Sequence, residues 1–188
     1  MPRLILASTS ARRLDLLARI GVVPDGVLAP DIDETPGNGE LPRVYALRMA
    51  CEKAQAVRRS DGEAVLAGDT TIALGRRILP PADSEVVQRA LLGLLSGRRH
   101  RCYSAIALID PAGKIRSRLS TTIVTFKALQ AAEIEAYIAS GEGLGKAGGY
   151  AIQGRAEGFV RALSGSHSGV VGLPLFETRN LLLSAGIG

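Results

Sequence analysis

Aromatic residues, cysteines and histidines are scarce in this 188-residue sequence, which has no tryptophan, three phenylalanines, four tyrosines, two cysteines and two histidines. The core must therefore be built mainly from leucine, isoleucine, valine and alanine. The aromatic-rich stretches on which single-stranded nucleic acid stacks are also missing, which disfavours a nucleic-acid-binding sheet. Cys51 and Cys102 match no zinc pattern, and two isolated thiols are typical of a reducing cytosol.

Long apolar runs are absent as well. None approaches the roughly 20 residues that a membrane helix needs. Arg12-Arg13 interrupt the only apolar stretch near the start of the sequence, which argues against a signal peptide. We therefore expect a cytoplasmic protein with no membrane partner.

The composition that remains, 46% hydrophobic and 22% charged, is that of a globular protein. The length predicts a single domain spanning residues 1–188. Lys+Arg 23 against Asp+Glu 18 gives a net charge of +5, which favours an anionic partner such as a nucleotide or phosphate. Nucleic acid is an unlikely partner because the arginines form short separated pairs rather than one block.

The central motif is Gly68-Asp69-Thr70-Thr71, which follows the apolar stretch Val65-Leu66-Ala67. A carboxylate within so much hydrophobic chain costs free energy unless it meets a cation or hydrogen-bond donors. In open α/β sheets, ligands bind at the carboxyl ends of strands. We therefore predict that Asp69, at the end of an inner strand, is a metal ligand, a general base, or both. The alternative is an aspartate that only turns or caps the chain.

The N-terminal segment predicts an anion site. Arg3-Leu4-Ile5-Leu6-Ala7 is typical of a buried strand, and Ser10 can cap a helix that runs to about Ile20. A strand, a serine-rich turn and a helix N-terminus together present backbone N–H groups to an anion. Arg12 and Arg13 add donors suited to phosphate, although either one alone is compatible with an ordinary surface role.

Two further segments carry charge next to predicted structure. The carboxylates of Asp31, Asp33 and Glu34 either bind Mg²⁺ together with substrate phosphates or form a solvated acidic loop. A helix from Pro42 to about Arg59 follows. Its predicted apolar face comprises Val44, Leu47, Ala50, Cys51, Ala54 and Val57. Lys53 borders this face, either as a surface lysine or with its ammonium over a cleft.

The stretch from Gly143 to Gly154 is dense in glycine, which permits close backbone approach to a ligand. It matches neither the Walker A loop nor the dinucleotide fingerprint, so a different nucleotide cradle is needed. Gln153 offers a donor and an acceptor for a base edge. Serines flank His167, but the frame of a hydrolase nucleophile is missing, so serine-hydrolase chemistry is disfavoured.

Taken together, several segments resemble the Maf family of nucleoside triphosphate pyrophosphatases, in the family's order and over nearly the whole chain. They are residues 7–13, Gly68-Asp69-Thr70, residues 95–100, residues 146–154 and residues 165–174. The resemblance implies an α/β fold like that of inosine triphosphate pyrophosphatases, with an elongated mixed sheet flanked by helices and a cleft between two lobes. It also implies a cytoplasmic homodimer that uses Mg²⁺ or Mn²⁺ to hydrolyse nucleoside triphosphates to the monophosphate and pyrophosphate.

The resemblance also assigns roles to residues. Asp69 would be the proton acceptor or metal-bound base, and Glu34 the second acid near the metal. Ser8, Arg12 and Arg13 would bind phosphates, and Lys53 and Lys146 would be the lysines of the cleft. Arg12, Thr70 and Gln153 are similar to the residues of the branch that prefers dTTP and UTP.

Three positions depart from the family pattern. The family's Gly-Lys-Pro reads Leu79-Pro80-Pro81 here, its aspartate before Lys-Ala-Gly is Gly145, and its tyrosine after Gly-Ser is His167. Alternative functions are a pyrophosphatase for modified purine or 7-methylguanine nucleotides, and a catalytically weak nucleotide-binding regulator of cell division. A nucleic-acid-binding module is a third.

Overall fold

A computed structural model of the chain describes residues 2–187. The strands are β1 (Leu4–Ala7), β2 (Gly26–Leu28), β3 (Ala64–Leu74), β4 (Arg77–Leu79), β5 (Arg99–Ile109), β6 (Ile115–Phe126) and β7 (Val160–Ser164). The helices are α1 (Ala11–Arg19), α2 (Pro42–Ala56), α3 (Glu85–Leu95), α4 (Ala131–Ala139), α5 (His167–Val171) and α6 (Leu175–Leu183), and a 3₁₀ helix covers Arg155–Phe159. The predicted α/β class is confirmed.

All seven strands form one mixed sheet in the order β2-β1-β3-β5-β6-β7, with β4 paired to β3. β1 is parallel to β2 and β3, whereas β3, β5, β6 and β7 pair antiparallel. None of the helices in residues 2–187 has the length and apolar character that crossing a bilayer requires.

One edge of β3 is interrupted by a notch. β1 pairs with β3 only as far as Ala67, and β4 pairs with it only from Ile72 onward. Both lie on the same side of β3, because β5 occupies the other side along residues 65–73. Gly68-Asp69-Thr70-Thr71 therefore has no strand neighbour on that side among the described residues. We call this four-residue gap the notch.

Helix α2 packs directly on the sheet through small side chains on both surfaces. Fully or nearly fully buried alanines meet here from the helix (Ala46, Ala50, Ala54) and from the sheet (Ala7, Ala67, Ala105, Ala107). Packing distance between elements depends on the side chains at the contact. The short gap brings the α2 backbone within side-chain reach of the notch.

The predicted apolar face of α2 is wrong along one edge. Val44 is 49% exposed, and the helix ends at Ala56 rather than near Arg59. The buried face instead includes Tyr45 and Lys53. The pattern misleads because these two polar-tipped side chains point inward, and hydrophobicity alone assigns such residues to the surface.

The opposite face of the sheet carries the larger apolar cluster. Leu6, Leu66 and Leu108 alternate along their strands with the alanines beneath α2. As the composition predicts, leucine, isoleucine and valine supply most of this core, with Phe126 and Tyr137 among the few large aromatic side chains. The sheet is thus covered on both faces and positions the notch between them.

Candidate active site

Asp69 lies in the notch with only 6% of its surface exposed. It is in the middle of a continuous strand, paired with Ala105, so the prediction that it ends a strand is wrong. The alternative, an aspartate that only turns or caps the chain, is wrong for the same reason. The strand continues because β5 pairs with β3 both before and after Asp69. The missing neighbour in the notch, rather than a strand end, lets a polar group here face a ligand.

Lys53 neutralises Asp69 from above the sheet. Its Nζ donates to Oδ1 of Asp69 at 2.9 Å and to Oε2 of Glu34 at 2.8 Å. The other oxygen of Asp69 accepts a hydrogen bond from Oγ1 of Thr71 at 2.7 Å. Lys53 is 7% exposed, so its ammonium is a buried cation placed between two carboxylates. Of the two possibilities left open for this lysine, the structure shows the one that reaches the cleft.

Tyr45 fixes the loop that carries Glu34. Its hydroxyl donates to the backbone oxygen of Glu34 at 2.8 Å. Burial, together with the charges of Asp69 and Glu34, raises the pKa of Tyr45 to about 12, so the hydroxyl remains a donor. Asp31 and Asp33 are exposed outside this arrangement. Only one carboxylate of the acidic loop therefore reaches the site.

Arg12 and Arg13 lie at the start of α1, and backbone carbonyls of Val171 and Gly172 anchor them. Nε of Arg13 donates to the oxygen of Gly172 at 2.9 Å, and its Nη1 donates to Oγ of Ser8 at 2.9 Å. Nε of Arg12 donates to the oxygen of Val171 at 3.3 Å. Burial lowers the pKa of Arg13, and the negative charge of Asp69 acts in the opposite direction. Both guanidinium groups are held in one orientation.

The N-terminus of α1 adds to this positive region. Ser10 occupies the predicted N-cap position, but its side chain makes no capping hydrogen bond, and the first turn contains no acidic residue. The positive end of the helix dipole is therefore not neutralised by a side chain of that turn. Ser8 is buried and its hydroxyl is already engaged by Arg13, so it orients the arginine.

The glycine-rich segment forms the opposite wall. Gly148 has φ +70° and packs so tightly on Ile72 that a Cβ would lie 2.9 Å from its Cγ2. Only glycine fits there without strain, which brings Lys146 beside the notch. Burial lowers the pKa of Lys146, and the charge of Arg12 adds to this effect. Gln153 is exposed in the same wall.

Together these walls enclose a cleft of three adjoining cavities of about 190, 420 and 410 Å³, on the scale of small-molecule sites at ~300–1,000 Å³. The first two contain the basic side chains, and the third is walled mainly by apolar groups. The predicted site residues that line the cleft are Ser8, Arg12, Arg13, Glu34, Lys53, Asp69, Thr70, Lys146 and Gln153. The structure thus brings every one of them to the same cleft.

The sequence of this chain is similar to that of known proteins over almost its whole length. The family model described as Maf-like protein matches residues 3–185. The chain belongs to this family. A dTTP/UTP pyrophosphatase of Sphingopyxis alaskensis is 65% identical over 187 residues, which cover 100% of this chain and 98% of the relative. One of Novosphingobium aromaticivorans is 61% identical over 187 residues, covering 99% and 93%.

A solved structure shares the fold of this Maf-like chain. The HAM1 protein of Coxiella burnetii aligns with a TM-score of 0.50 and 16% sequence identity, covering 98% of this chain and 100% of that one. At this identity the likeness concerns the fold alone. It confirms the predicted architecture of the inosine triphosphate pyrophosphatase type.

The family resemblance implies a divalent metal, and the carboxylates of the site fit one. No group of three or more histidine, cysteine, aspartate or glutamate side chains converges anywhere in residues 2–187. Asp69 and Glu34 alone supply oxygen ligands, and Mg²⁺ is usually bound by one or two carboxylates plus substrate phosphates. The ammonium of Lys53 already occupies a cationic position between them. The donor set therefore suits a metal that arrives with phosphate.

Sequence reasoning missed Tyr45, Thr71 and the carbonyls of Val171 and Gly172 as parts of the site. Strand alternation could have identified Thr71, because residues i and i+2 of a strand share a face and Thr71 is two residues after Asp69. Tyr45 was hidden by the misread face of α2. Nothing local to Val171 and Gly172 marks their carbonyls as partners of arginines 159 positions away.

Proposed function

We propose that this chain is a nucleoside triphosphate pyrophosphatase that acts on dTTP and UTP and releases the monophosphate and pyrophosphate. The observation that carries the proposal is the buried carboxylate of Asp69, open to a cleft that also contains Arg12, Arg13 and Lys146. Two relatives that match the whole chain are named dTTP/UTP pyrophosphatases, which supports the same activity.

The basic part of the cleft suits a triphosphate chain. The forked donors of Arg12 and Arg13 match phosphate oxygens, and their Nε atoms are tied to backbone carbonyls, so little orientation is lost on binding. Lys146 faces them from the glycine-rich wall. These groups bind the substrate and stabilise the negative charge that develops on the departing pyrophosphate.

Asp69 is the group placed to accept the proton of the attacking water. Lys53 and Thr71 hold its two oxygens in fixed positions, and each carboxylate oxygen keeps a further lone pair. Water attacks phosphorus, the bond between the α-phosphorus and the bridging oxygen breaks, and the proton passes to Asp69. A divalent metal, Mg²⁺ or Mn²⁺, held by Asp69 and Glu34 would supply Lewis acidity and positive charge to the phosphate oxygens.

Base choice is assigned to Arg12, Thr70 and Gln153, all of which line the same cavity. Oγ1 of Thr70 is buried and has no hydrogen-bond partner within residues 2–187. A buried hydroxyl without a partner carries a free-energy cost that a ligand can remove. Gln153 offers both a donor and an acceptor to a pyrimidine edge. By the family resemblance, we also propose a cytoplasmic homodimer, which sedimentation of the purified protein tests.

Incubation of the purified protein with a panel of triphosphates tests the function. With Mg²⁺ or Mn²⁺, dTTP and UTP should give monophosphate and pyrophosphate faster than dCTP, dATP, dGTP, ITP or 7-methyl-GTP. Release of orthophosphate and a diphosphate would contradict the proposed bond cleavage. Fastest turnover of a modified purine would support the alternative substrate class, and tight binding without product would support a regulator.

Asp69→Asn tests the role of the carboxylate. The amide keeps the shape but cannot accept the proton, so pyrophosphate release should fall by about 10²-fold or more, the scale of a lost general base. Circular dichroism and the melting temperature check that the variant folds. Near-normal turnover in a folded variant rules out this assignment.

A further inference from the structure

Three buried polar side chains hold three consecutive residues of the glycine-rich wall. Nε2 of Gln88 donates to the oxygen of Gly149 at 3.1 Å. Nε2 of His100 is 2.8 Å from the hydroxyl of Tyr150. The N–H of the next residue, Ala151, donates to the hydroxyl of Tyr137 at 2.9 Å. The anchors come from α3, β5 and α4, so the segment is fixed from three separate elements.

Two of these anchors are buried polar side chains that each leave one polar atom unpaired among the described residues. Gln88 is 0% exposed and His100 is 2% exposed. Oε1 of Gln88 and Nδ1 of His100 have no hydrogen-bond partner within residues 2–187. An apolar side chain of the same shape would avoid the cost of an unpaired polar atom at either position. The single hydrogen bond that each makes to the wall is therefore its distinguishing contact.

The held segment lies directly between two groups of the cleft. Lys146 precedes it and Gln153 follows it, while Tyr150 and Ala151 themselves line the cavity. Gly143 packs against the same glutamine, since a Cβ there would lie 2.3 Å from Nε2 of Gln88. A shift of the segment would move both Lys146 and Gln153 relative to Asp69.

We propose that Gln88 and His100 are positioning residues, which hold Gly149 and Tyr150 so that Lys146 and Gln153 meet the phosphates and the base of the substrate. This inference rests on the proposed function, and it assigns a role to the histidine of the segment 95–100. His100 acts only through Tyr150, and Gln88 only through Gly149. Neither contacts the substrate.

The expected signature is kinetic. His100→Phe keeps a ring beside Phe126, and Tyr150→Phe removes only the hydroxyl. Each should raise KM for dTTP and UTP about tenfold and reduce the preference for them over dCTP, because misplacement of about 1 Å can cost up to 10²-fold. The double variant should be no worse than either single one, since both remove the same hydrogen bond. Gln88→Met should raise KM in the same way.

Leu95→Ala is the matched control, because it removes a fully buried side chain of α3, the helix of Gln88, that cannot hydrogen-bond to the wall. It should lower the melting temperature and leave KM and base preference unchanged. If the His100, Tyr150 and Gln88 variants behave like this control, the positioning role is wrong. Calorimetric titration with UTP in the absence of divalent metal gives the same comparison as dissociation constants. Because this titration involves no turnover, it tests positioning even if the proposed hydrolysis is wrong. Turnover of the wild-type protein tests the hydrolysis separately.

Discussion

At the scale of single residues, the charge balance of the site depends on Lys53. A buried ammonium is tolerated only when it is paired and hydrogen-bonded, and here two carboxylates accept from it. The same two carboxylates are the proposed metal ligands. In the free protein, the ammonium of Lys53 therefore supplies the positive charge between Asp69 and Glu34 that the proposed metal would otherwise supply.

Lys53→Met should raise the affinity of the site for a divalent metal and lower the rate of pyrophosphate release. Without the ammonium, Asp69 and Glu34 have no cation between them, so Mn²⁺ should bind about tenfold more tightly in the absence of nucleotide. This change is a modest share of the interaction energy of ~4 kcal/mol between two unit charges 4 Å apart at an effective dielectric of 20. Electron paramagnetic resonance of free Mn²⁺ measures this without turnover.

Lys127→Met is the control for that measurement. Lys127 pairs with Glu133 away from the cleft, so its loss should leave Mn²⁺ binding unchanged. Equal or weaker Mn²⁺ affinity in Lys53→Met would show that the lysine does not compete with the metal.

At the scale of elements, the distance between α2 and the sheet decides whether Lys53 reaches Asp69. The alanine surfaces on both sides make that distance short. Ala50→Leu should overpack this contact, at a cost of about 1–3 kcal/mol, and push the helix away. The rate of pyrophosphate release should then fall more than the loss of folded protein explains.

Ala56→Leu provides the comparison on the same helix. Ala56 is exposed at the last position of α2, so a larger side chain there contacts only solvent and the surface. It should leave both stability and turnover near wild type. Equal turnover in folded Ala50→Leu and Ala56→Leu would contradict the spacing argument.

Sequence patterns located the groups of the site better than the elements that hold them. The strand, turn and helix at residues 3–20 and the polar motif at Asp69 follow from local chemistry. The notch does not, because it depends on where β1 stops and on which side β4 returns. The residues alone left Lys53 open between the surface and the cleft, and they did not single out Tyr45, because an inward polar side chain has no signature in hydrophobicity.

At the scale of the whole molecule, acid should destabilise the fold through His100. Burial lowers the pKa of His100 from 6.5 to about 4, so the unfolded chain binds this proton at higher pH than the folded one. The contribution is fully present above pH 6.5 and is lost as the pH falls through the window down to about 4. It amounts to about 3 kcal/mol, from 1.36 kcal/mol per pKa unit.

Urea unfolding at pH 7 and pH 4.5 measures this effect. His100→Phe should lose less free energy of unfolding between the two pH values than the wild-type protein does. His167→Gln, which replaces the exposed second histidine, should retain the wild-type difference. An unchanged difference in His100→Phe would place the acid sensitivity elsewhere.

The hydrogen bonds from Arg12 and Arg13 to Val171 and Gly172 have a consequence for synthesis of the chain. These contacts join positions 159 residues apart. A polypeptide emerging from the ribosome has made its arginines long before their carbonyl acceptors. The two guanidinium groups therefore stay unoriented until Val171 and Gly172 have been synthesised, and catalytic competence cannot arise before that point.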